Sequence, residues 1–137
     1  RILKAVGSAA LGVKNGSHWT HDLDNPANRQ FVEAFRKTYG RTPTLYASQG
    51  YDTARLLGTA LKAVNGDLGK MDELKAALKK ADFESTRGSF AFGNNQHPIH
   101  DMYIREVVKT PAGDYTNKTV KKVFSNHVDA FAGECQM

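Results

Sequence analysis

Apolar side chains recur at intervals of three and four residues in three segments of the chain, and this spacing predicts three amphipathic helices. The first segment reads DLDNPANRQFVEAFRKTYG. Its apolar stripe consists of Phe31 and Phe35, together with either Tyr39 or Val32. Asp24 or Asn25 can cap the amino end, and Pro26 suits the first turn. Gly40 predicts the carboxyl end, because glycine readily adopts the left-handed conformation that closes many helices.

The second helical segment is QGYDTARLLGTALKAVNG, which ends where Gly66 can form a left-handed cap. Its stripe consists of Ala54, Leu57, Leu61 and Val64. A third helix is predicted from about Met71 to Ala81, with Leu74, Ala77 and Leu78 inward. The first eleven residues predict either a short helix or the end of a connection.

Other segments have the β-branched and aromatic composition of strands. They are GVKNGSHW, the short extended segment TPTLYAS, and then STRGSFAF, DMYIREVVK and TNKTVKKVF. In the first, Asn15–Gly16 can place a bulge or turn. In the second, Pro43 biases Thr42 away from the helical conformation. The residues Pro-Ala-Gly-Asp between the last two segments predict a C-terminal β-hairpin. A short turn or helix is predicted in the tail after it.

This order of elements predicts an α/β fold with an open sheet flanked by helices, in which loops at the strand ends form ligand crevices. The polar and aromatic cluster from Tyr46 to Asp52 would lie at a strand-to-helix junction of that sheet. Side chains at such a junction are placed to meet a ligand, since free N–H groups lie nearby. The alternative is that Gln49 or Asp52 caps the helix and that Tyr46 is a core aromatic.

Length and charge narrow the class of protein. A chain of 137 residues is about one domain in size, and its longest apolar runs fall far short of a membrane span. The net charge of +5 raises nucleic acid as a partner. However, the densest basic runs are broken by carboxylates or lie on exposed faces, and no aromatic–basic interleave of the RNA-binding type occurs. We therefore expect a solvated basic face and no nucleic-acid partner.

The chemistry-bearing residues give no pattern of an enzyme or a metal site. The chain has no nucleophile elbow, phosphate-binding loop or metal-ligand set, which predicts a protein without catalysis, cofactor or metal. The histidine pairs His18/His21 and His97/His100 lack a third ligand and are interpreted as surface or hinge histidines. Cys135 is the single cysteine, so it cannot form a disulfide within this chain.

A resemblance covers residues 12–110. The segment from HWTHDLDNPANRQF to LLGTALKAVNGD, followed by FESTRGSFAFGNNQHPIHDMYIREV, joins four motifs in order: D-N-P-x-N, Y-G-x-x-P, Y-D-x-A and R-G-x-F-x-F-x-x-N-x-x-P. Together they resemble the C-terminal part of the type I periplasmic solute-binding proteins of the leucine/isoleucine/valine-binding family, the branched-chain amino acid ABC transporter binders.

The resemblance implies a two-lobed fold of open, mainly parallel sheets that closes on a small solute and delivers it to an ABC permease in the inner membrane. It implies a periplasmic location and a longer parent protein, of which this chain is a C-terminal fragment. Residues 1–19 would end the second lobe, residues 20–101 would belong to the first, and residues 102–137 would return to the second with the tail. The hinge crossings would fall at Trp19, Thr20, Asp101 and Met102.

The resemblance also assigns some of the ligand-binding residues, and it implies that the family's main anchors for the charged groups of the solute lie in sequence absent from this chain. It places Tyr46 on the cleft between the lobes, with Ser48, Gln49 and Tyr51 on the same rim. The implied solute is an aromatic or other organic acid, or a branched-chain amino acid. A ligand-sensing domain of the same fold in a receptor or regulator is the alternative, and a basic nucleic-acid-binding module is a distant one. The isolated chain is expected to associate with itself or with the missing part of its parent.

Overall fold

The computed structural model describes residues 2–135, in which a short helix and a short strand precede three consecutive helices, and a long hairpin follows them. The helices are α1 (Ile2–Val6), α2 (Pro26–Tyr39), α3 (Leu45–Ala63) and α4 (Met71–Lys80). The strands are β1 (Lys14–Ser17), β2 (Ala91–Phe92), β3 (Pro98–Lys109) and β4 (Tyr115–His127). Short 3₁₀ segments lie at Gly7–Ala10 and Ala132–Glu134. The predicted mixture of helices and an open sheet is confirmed.

β3 is the strand on which the other strands assemble. β1 pairs with it from Lys14↔Glu106 to Ser17↔Tyr103, β2 pairs at its amino end, and β4 pairs along its length. β3 and β4 form the predicted C-terminal hairpin, whose turn is closed by the bond from the N–H of Thr110 to the carbonyl of Asp114 at 2.7 Å. Gly113 has a φ of 91°, which glycine tolerates without the strain that a Cβ would add.

The sheet differs from the expectation in its direction. Every strand pair within residues 2–135 is antiparallel, whereas a mainly parallel sheet was predicted. A parallel pair needs a crossover connection between two strands, usually a helix. The segment that was predicted to supply a strand between α2 and α3 is helical, so no strand–helix–strand unit is completed there.

The start of α3 is where sequence reasoning failed. TPTLYAS was predicted as extended, but α3 begins at Leu45, and the Thr44 side chain caps it by accepting from the N–H of Ala47 at 3.3 Å. Pro43 fixes its own φ and restricts Thr42 before it, but it leaves the residues after it free to form a helix. A capped helix satisfies its own backbone, whereas an extended segment needs partner strands. The strand predicted over STRGSFAF is also wrong, except at its last two residues, Ala91–Phe92. The bulge or turn predicted at Asn15–Gly16 is wrong too, because both residues lie inside β1 in unbroken register.

The other helix boundaries agree with the local signals. The side chain of Asn25 caps α2 by accepting from the N–H of Asn28 at 2.8 Å, and Gly40 closes the helix with a φ of 63°. α4 ends one residue before the predicted boundary. No helix among residues 2–135 has both the length and the apolar character needed to cross a membrane.

The core joins α2 to the strands. It consists of Trp19, Leu23, Phe31, Val32 and Tyr103, against which Phe35, Leu45, Ala47 and Tyr51 are packed. Asn28 is fully buried at its centre and accepts from the indole N–H of Trp19 at 2.8 Å. The Asn28 amide also donates to the carbonyls of Thr20, His21 and Leu23. The segment that leaves β1 is thereby fixed to the first turn of α2.

Candidate functional site

A cleft of about 1060 Å³ lies between the tip of the β3–β4 hairpin and the connection from α2 to α3. One wall consists of Lys4, Thr110, Ala112, Asp114, Tyr115 and Thr116. The other consists of His21, Arg36, Gly40, Arg41, Thr42 and Thr44. The first wall comes from residues predicted to belong to the second lobe, and the other from residues predicted to belong to the first. The volume is of the size that small-molecule pockets have.

Charge in this cleft is mostly positive. Lys4, Arg36 and Arg41 contribute three cations, and Asp114 contributes one carboxylate. Arg36 donates to the hydroxyl of Thr42 at 3.4 Å, and the Arg41 guanidinium lies 5.3 Å from the centre of the Phe35 ring. Such a concave basic surface attracts small anions, because converging positive charges lower the energy of a negative group between them.

His21 supplies a neutral polar group to the same cleft. Its Nε2 lies 3.0 Å from the hydroxyl of Thr116, which links the two walls. Burial lowers the pKa of His21 below its usual value, more than the nearby Asp22 raises it. The imidazole is therefore a hydrogen-bonding group at neutral pH and not a fourth cation.

The four residues predicted to bind ligand do not share one face of α3. Tyr46 is 79% exposed in the first turn, two residues after Thr44 of the cleft wall, and Gln49 is half-buried. Ser48 is fully buried, and the Tyr51 ring packs against Phe31 with ring centres 4.7 Å apart. The alternatives of a core Tyr46 and of a cap by Gln49 or Asp52 are wrong, since Tyr46 faces solvent and Thr44 is the cap.

Tyr51 also lines a second, smaller groove between α2 and α3. This groove has a volume of about 320 Å³ and is mainly aromatic. It is lined by Phe31, Ala34, Phe35, Thr38, Tyr39, Ala47 and Tyr51. The structure thus separates the predicted rim, with Tyr46 directed to solvent near the cleft and Tyr51 directed into the groove.

Ser48 belongs instead to a buried polar network that fixes α3 to the loop before β2. Its hydroxyl lies 2.8 Å from that of Thr86, and the next turn places Asp52 beside the same loop. The Asp52 carboxylate accepts from the Ser85 hydroxyl at 2.6 Å and from the N–H of Thr86 at 2.9 Å. The buried Arg87 follows, with Nε 3.7 Å from Asp52 Oδ2. This network holds the helix whose first turn approaches the cleft.

The predicted hinge residues lie just after β1 and in the first half of β3, two strands that run side by side. Trp19 and Thr20 are buried at the end of β1, and Asp101 is buried in β3 beside the half-buried Met102. The carbonyl of Trp19 accepts from Arg105 at 3.1 Å, which joins the segment after β1 to β3. Asp101 accepts from the backbone N–H of Asn126 at 2.9 Å and pairs with Lys122. Their role as a hinge stays a prediction.

Next to the predicted hinge residues lies a histidine pair that sequence reasoning did not find. His18 and His100, from two different predicted pairs, stack with ring centres 4.7 Å apart, and Arg87 lies 3.3 Å from His100 Nδ1. Burial, and then the charge of Arg87, lowers the pKa of each histidine to about 4. No local signal predicts this contact, since His18 follows β1 and His100 lies in β3, far apart in the sequence. Among residues 2–135 no group of three or more His, Cys, Asp or Glu side chains is arranged to hold a metal.

Comparisons with known proteins agree with this architecture. Residues 1–114 match the family model described as periplasmic binding protein. A curated relative, Leu/Ile/Val-binding protein homolog 6 of Brucella abortus, is 36% identical over 124 residues, which are 87% of this chain and 31% of the relative. The chain therefore spans about a third of the length of that relative.

Two solved structures give the same result at the level of the fold. One is the solute-binding protein of an ABC transporter from Rhodopseudomonas palustris in complex with benzoate, with 34% identity and a TM-score of 0.82 over 98% of this chain and 36% of that one. Another is a solute-binding protein from R. palustris BisB5 in complex with 3,4-dihydroxybenzoic acid, with 32% identity, a TM-score of 0.81 and the same coverage.

Proposed function

The chain belongs to the periplasmic binding protein family, and from this premise we propose that it forms part of the solute-binding component of an ABC uptake transporter. The observation that carries the proposal is the cleft of about 1060 Å³, whose lining residues come in equal number from the two predicted lobes. If the two lobes move, a solute that lies between them contacts both walls only in the closed state. Solute binding and lobe closure are then coupled.

The proposed solute is a small aromatic carboxylic acid, with a branched-chain amino acid as the second candidate. Two observations favour the aromatic acid. The similar R. palustris proteins were solved with benzoate and with 3,4-dihydroxybenzoic acid. The cleft also combines cations with an aromatic residue, Tyr115. The relative's name, Leu/Ile/Val-binding protein homolog 6, keeps the amino acid in consideration.

The remaining elements of the proposal follow from the family. The full-length protein would work in the periplasm without catalytic turnover and would pass its solute to a membrane permease. Exposed aromatic side chains such as Tyr39 (61%), Phe124 (57%) and Phe131 (69%) support contacts with the rest of that protein or with a second copy of the chain. The alternative, a sensor domain of the same fold, would be favoured by a signalling domain fused in the full-length protein.

The first test is a thermal-shift panel on the full-length protein. We expect benzoate, 4-hydroxybenzoate or L-leucine to raise the melting temperature, because a solute that binds only the folded state stabilises it. At a hundredfold excess over the dissociation constant the stabilisation should be about 2.7 kcal/mol. A melting temperature that stays unchanged across aromatic acids and amino acids would contradict the proposal.

A second prediction concerns Tyr46, which we propose contacts the solute from the first turn of α3, with the half-buried Gln49 beside it. The fully buried Ser48 and the Tyr51 ring packed on Phe31 cannot share that contact, and we propose that they support this turn of the helix. Tyr46→Ala should weaken solute affinity by about 1–3 kcal/mol, through loss of ring contact and a phenolic hydrogen bond. Its stability should change little, because the side chain is 79% exposed and leaves no cavity. Titration calorimetry measures the affinity, and denaturant melts measure the stability.

Two further variants complete the Tyr46 experiment. Lys62→Ala, an exposed change in the last turn of α3, is the matched control and should preserve affinity. Tyr46→Phe removes only the hydroxyl, so retained affinity would assign the contact to the ring. If Tyr46→Ala binds solute as tightly as the wild type, the ligand-binding assignment of the first turn of α3 is wrong.

A further inference from the structure

The segment between β1 and α2 is bonded to β4 through the side chain of Asp22. Its Oδ2 accepts from the backbone N–H of Thr119 at 3.0 Å, and its Oδ1 accepts from the Thr119 hydroxyl at 2.7 Å. The hydroxyl of Thr20 also donates to Oδ1, at 2.9 Å. Burial raises the pKa of Asp22, but hydrogen bonds, chiefly those from Thr119, outweigh burial and lower the pKa below its usual value. The carboxylate is therefore charged at neutral pH, and its hydrogen bonds are charge-assisted.

Thr119 lies at an irregularity of the hairpin that suits this contact. The register of β3 and β4 shifts between the pairs Ile104↔Lys121 and Arg105↔Thr119. Such a bulge disrupts the ladder locally and changes the direction of the groups beside it. The backbone N–H of Thr119 points to Asp22, so one residue supplies two donors to a single carboxylate.

Asp22 and Thr119 belong to segments that carry opposite walls of the cleft. The segment that holds Asp22 is bound to the first turn of α2 by the Asn28 amide, and α2 contributes to one wall. Thr119 lies in β4, whose first residues, Tyr115 and Thr116, belong to the opposite wall. Neither Asp22 nor Thr119 is among the residues that line the cleft. Their contact therefore joins the two walls from outside the space that a solute would fill.

We propose that Asp22 is a positioning residue that holds the two cleft walls together through Thr119 and thereby slows release of the solute, an inference that rests on the proposed function. The contact acts on the separation of the walls and not on the solute itself. The apparent affinity of a ligand scales with the population of the state that is competent to bind it. Loss of the contact should therefore weaken the binding of every solute by the same factor.

The test uses the full-length protein with benzoate, 4-hydroxybenzoate and L-leucine as probes. In titration calorimetry, Asp22→Ala and Thr119→Val should each weaken every probe that the wild type binds by at least about threefold, since charge-assisted bonds are lost. The factor should be the same for each of these probes. In stopped-flow measurements the loss should lie in a faster dissociation rate, with the association rate within about twofold of the wild type.

Three further variants separate this contact from a general loss of structure. Thr119→Ser keeps the hydroxyl and should bind within about twofold of the wild type. Asp22→Ala/Thr119→Val should bind within about twofold of Asp22→Ala, because both changes remove the same interaction. Asp24→Ala is the matched control, since Asp24 is an exposed carboxylate of the same segment that pairs with Arg29. It should leave affinity within about twofold.

The outcomes distinguish this inference from the function on which it rests. A wild type that binds a probe, with a loss below about threefold in either single variant, overturns the role of Asp22 and leaves the proposed function intact. An equal loss in Asp24→Ala, a loss carried by the association rate, or factors that differ more than about threefold between probes overturn it as well. If Asp22→Ala fails to fold, the comparison of Thr119→Val with Thr119→Ser decides. A wild type that binds none of the probes overturns the proposed function and the role of Asp22 with it.

Discussion

Replacing Asp52 with alanine should lower the free energy of unfolding of the full-length protein by about 3–5 kcal/mol, the range for breaking a buried ion pair. The Asp52 carboxylate is 4% exposed, accepts from the Ser85 hydroxyl at 2.6 Å and the Thr86 N–H at 2.9 Å, and faces Arg87. Its removal leaves two donors without their acceptor and a buried guanidinium without its counter-charge. Urea melts followed by circular dichroism measure the change.

Two variants show whether charge or shape causes that loss. Asp52→Asn keeps the size and one acceptor oxygen, so it should lose less stability than alanine while still leaving Arg87 uncompensated. Asp82→Asn is the matched control, since Asp82 is an exposed carboxylate paired with Lys80 at 3.1 Å, and it should change stability by less than about 0.5 kcal/mol. A loss below about 1 kcal/mol in Asp52→Ala would show that α3 does not depend on this network.

Acidification from pH 7 to pH 4 should destabilise the protein by about 2–4 kcal/mol through the stacked histidines. Burial and Arg87 lower the pKa of His18 and of His100 to about 4, from the usual value of 6.5. In this window the unfolded chain binds protons that the folded chain does not, so the free energy of unfolding falls as the pH falls. We expect about half of the change in the free energy of unfolding that the full pKa shifts would give, because both rings are half-buried and solvent screens part of the effect.

The pH window separates the histidines from the carboxylates. The pKa values of Asp22 and Asp101 are lowered from 3.8, because hydrogen bonds, chiefly from Thr119 and from Lys122, outweigh burial, which raises them. The stability that these two carboxylates contribute is therefore lost only below pH 3.8, under the pH range in which the histidines titrate. Urea melts at several pH values between 7 and 4.5 give the slope. His18→Phe/His100→Gln should flatten it, with the glutamine oxygen still able to accept from Arg87.

The control for the pH experiment is His97→Gln, which removes an imidazole whose side chain is 69% exposed and lies beside Asp129. It should keep most of the acid slope. A slope that persists unchanged in the His18/His100 double variant would show that other groups cause the acid sensitivity. The groups that face the two rings are Arg87, Arg105, His127 and Asp101, and those remain in the variant.

Local sequence signals determined the elements whose ends depend on a few neighbouring residues. Asn25 and Pro26 start α2, and Gly40 ends it with a positive φ. The hairpin between β3 and β4 was predictable in the same way, because its turn residues and alternating strands are contiguous in the chain. Such features need no distant contact, so the sequence pattern is sufficient to identify them.

Longer-range motifs determined the family, and with it the expectation of a cleft between two parts of the chain. The order and spacing of D-N-P-x-N, Y-D-x-A and the R-G-x-F strand-turn agree with the family match over residues 1–114. They did not determine which side chains line that cleft. Tyr46 and Tyr51 are close in sequence, yet a helix directs one to solvent and the other into an aromatic groove.

The sequence by itself thus determined the helix caps, the hairpin and the family, whereas only the tertiary structure decided the start of α3 and the composition of the polar sites. A strand at TPTLYAS would require partner strands, while a helix capped by Thr44 completes its hydrogen bonds locally. The His18–His100 stack, the Asp52–Arg87 network and the cleft with Arg36 and Arg41 all join residues from different elements. Such contacts depend on how the elements pack, and hydrophobic periodicity along the chain carries no information about that arrangement.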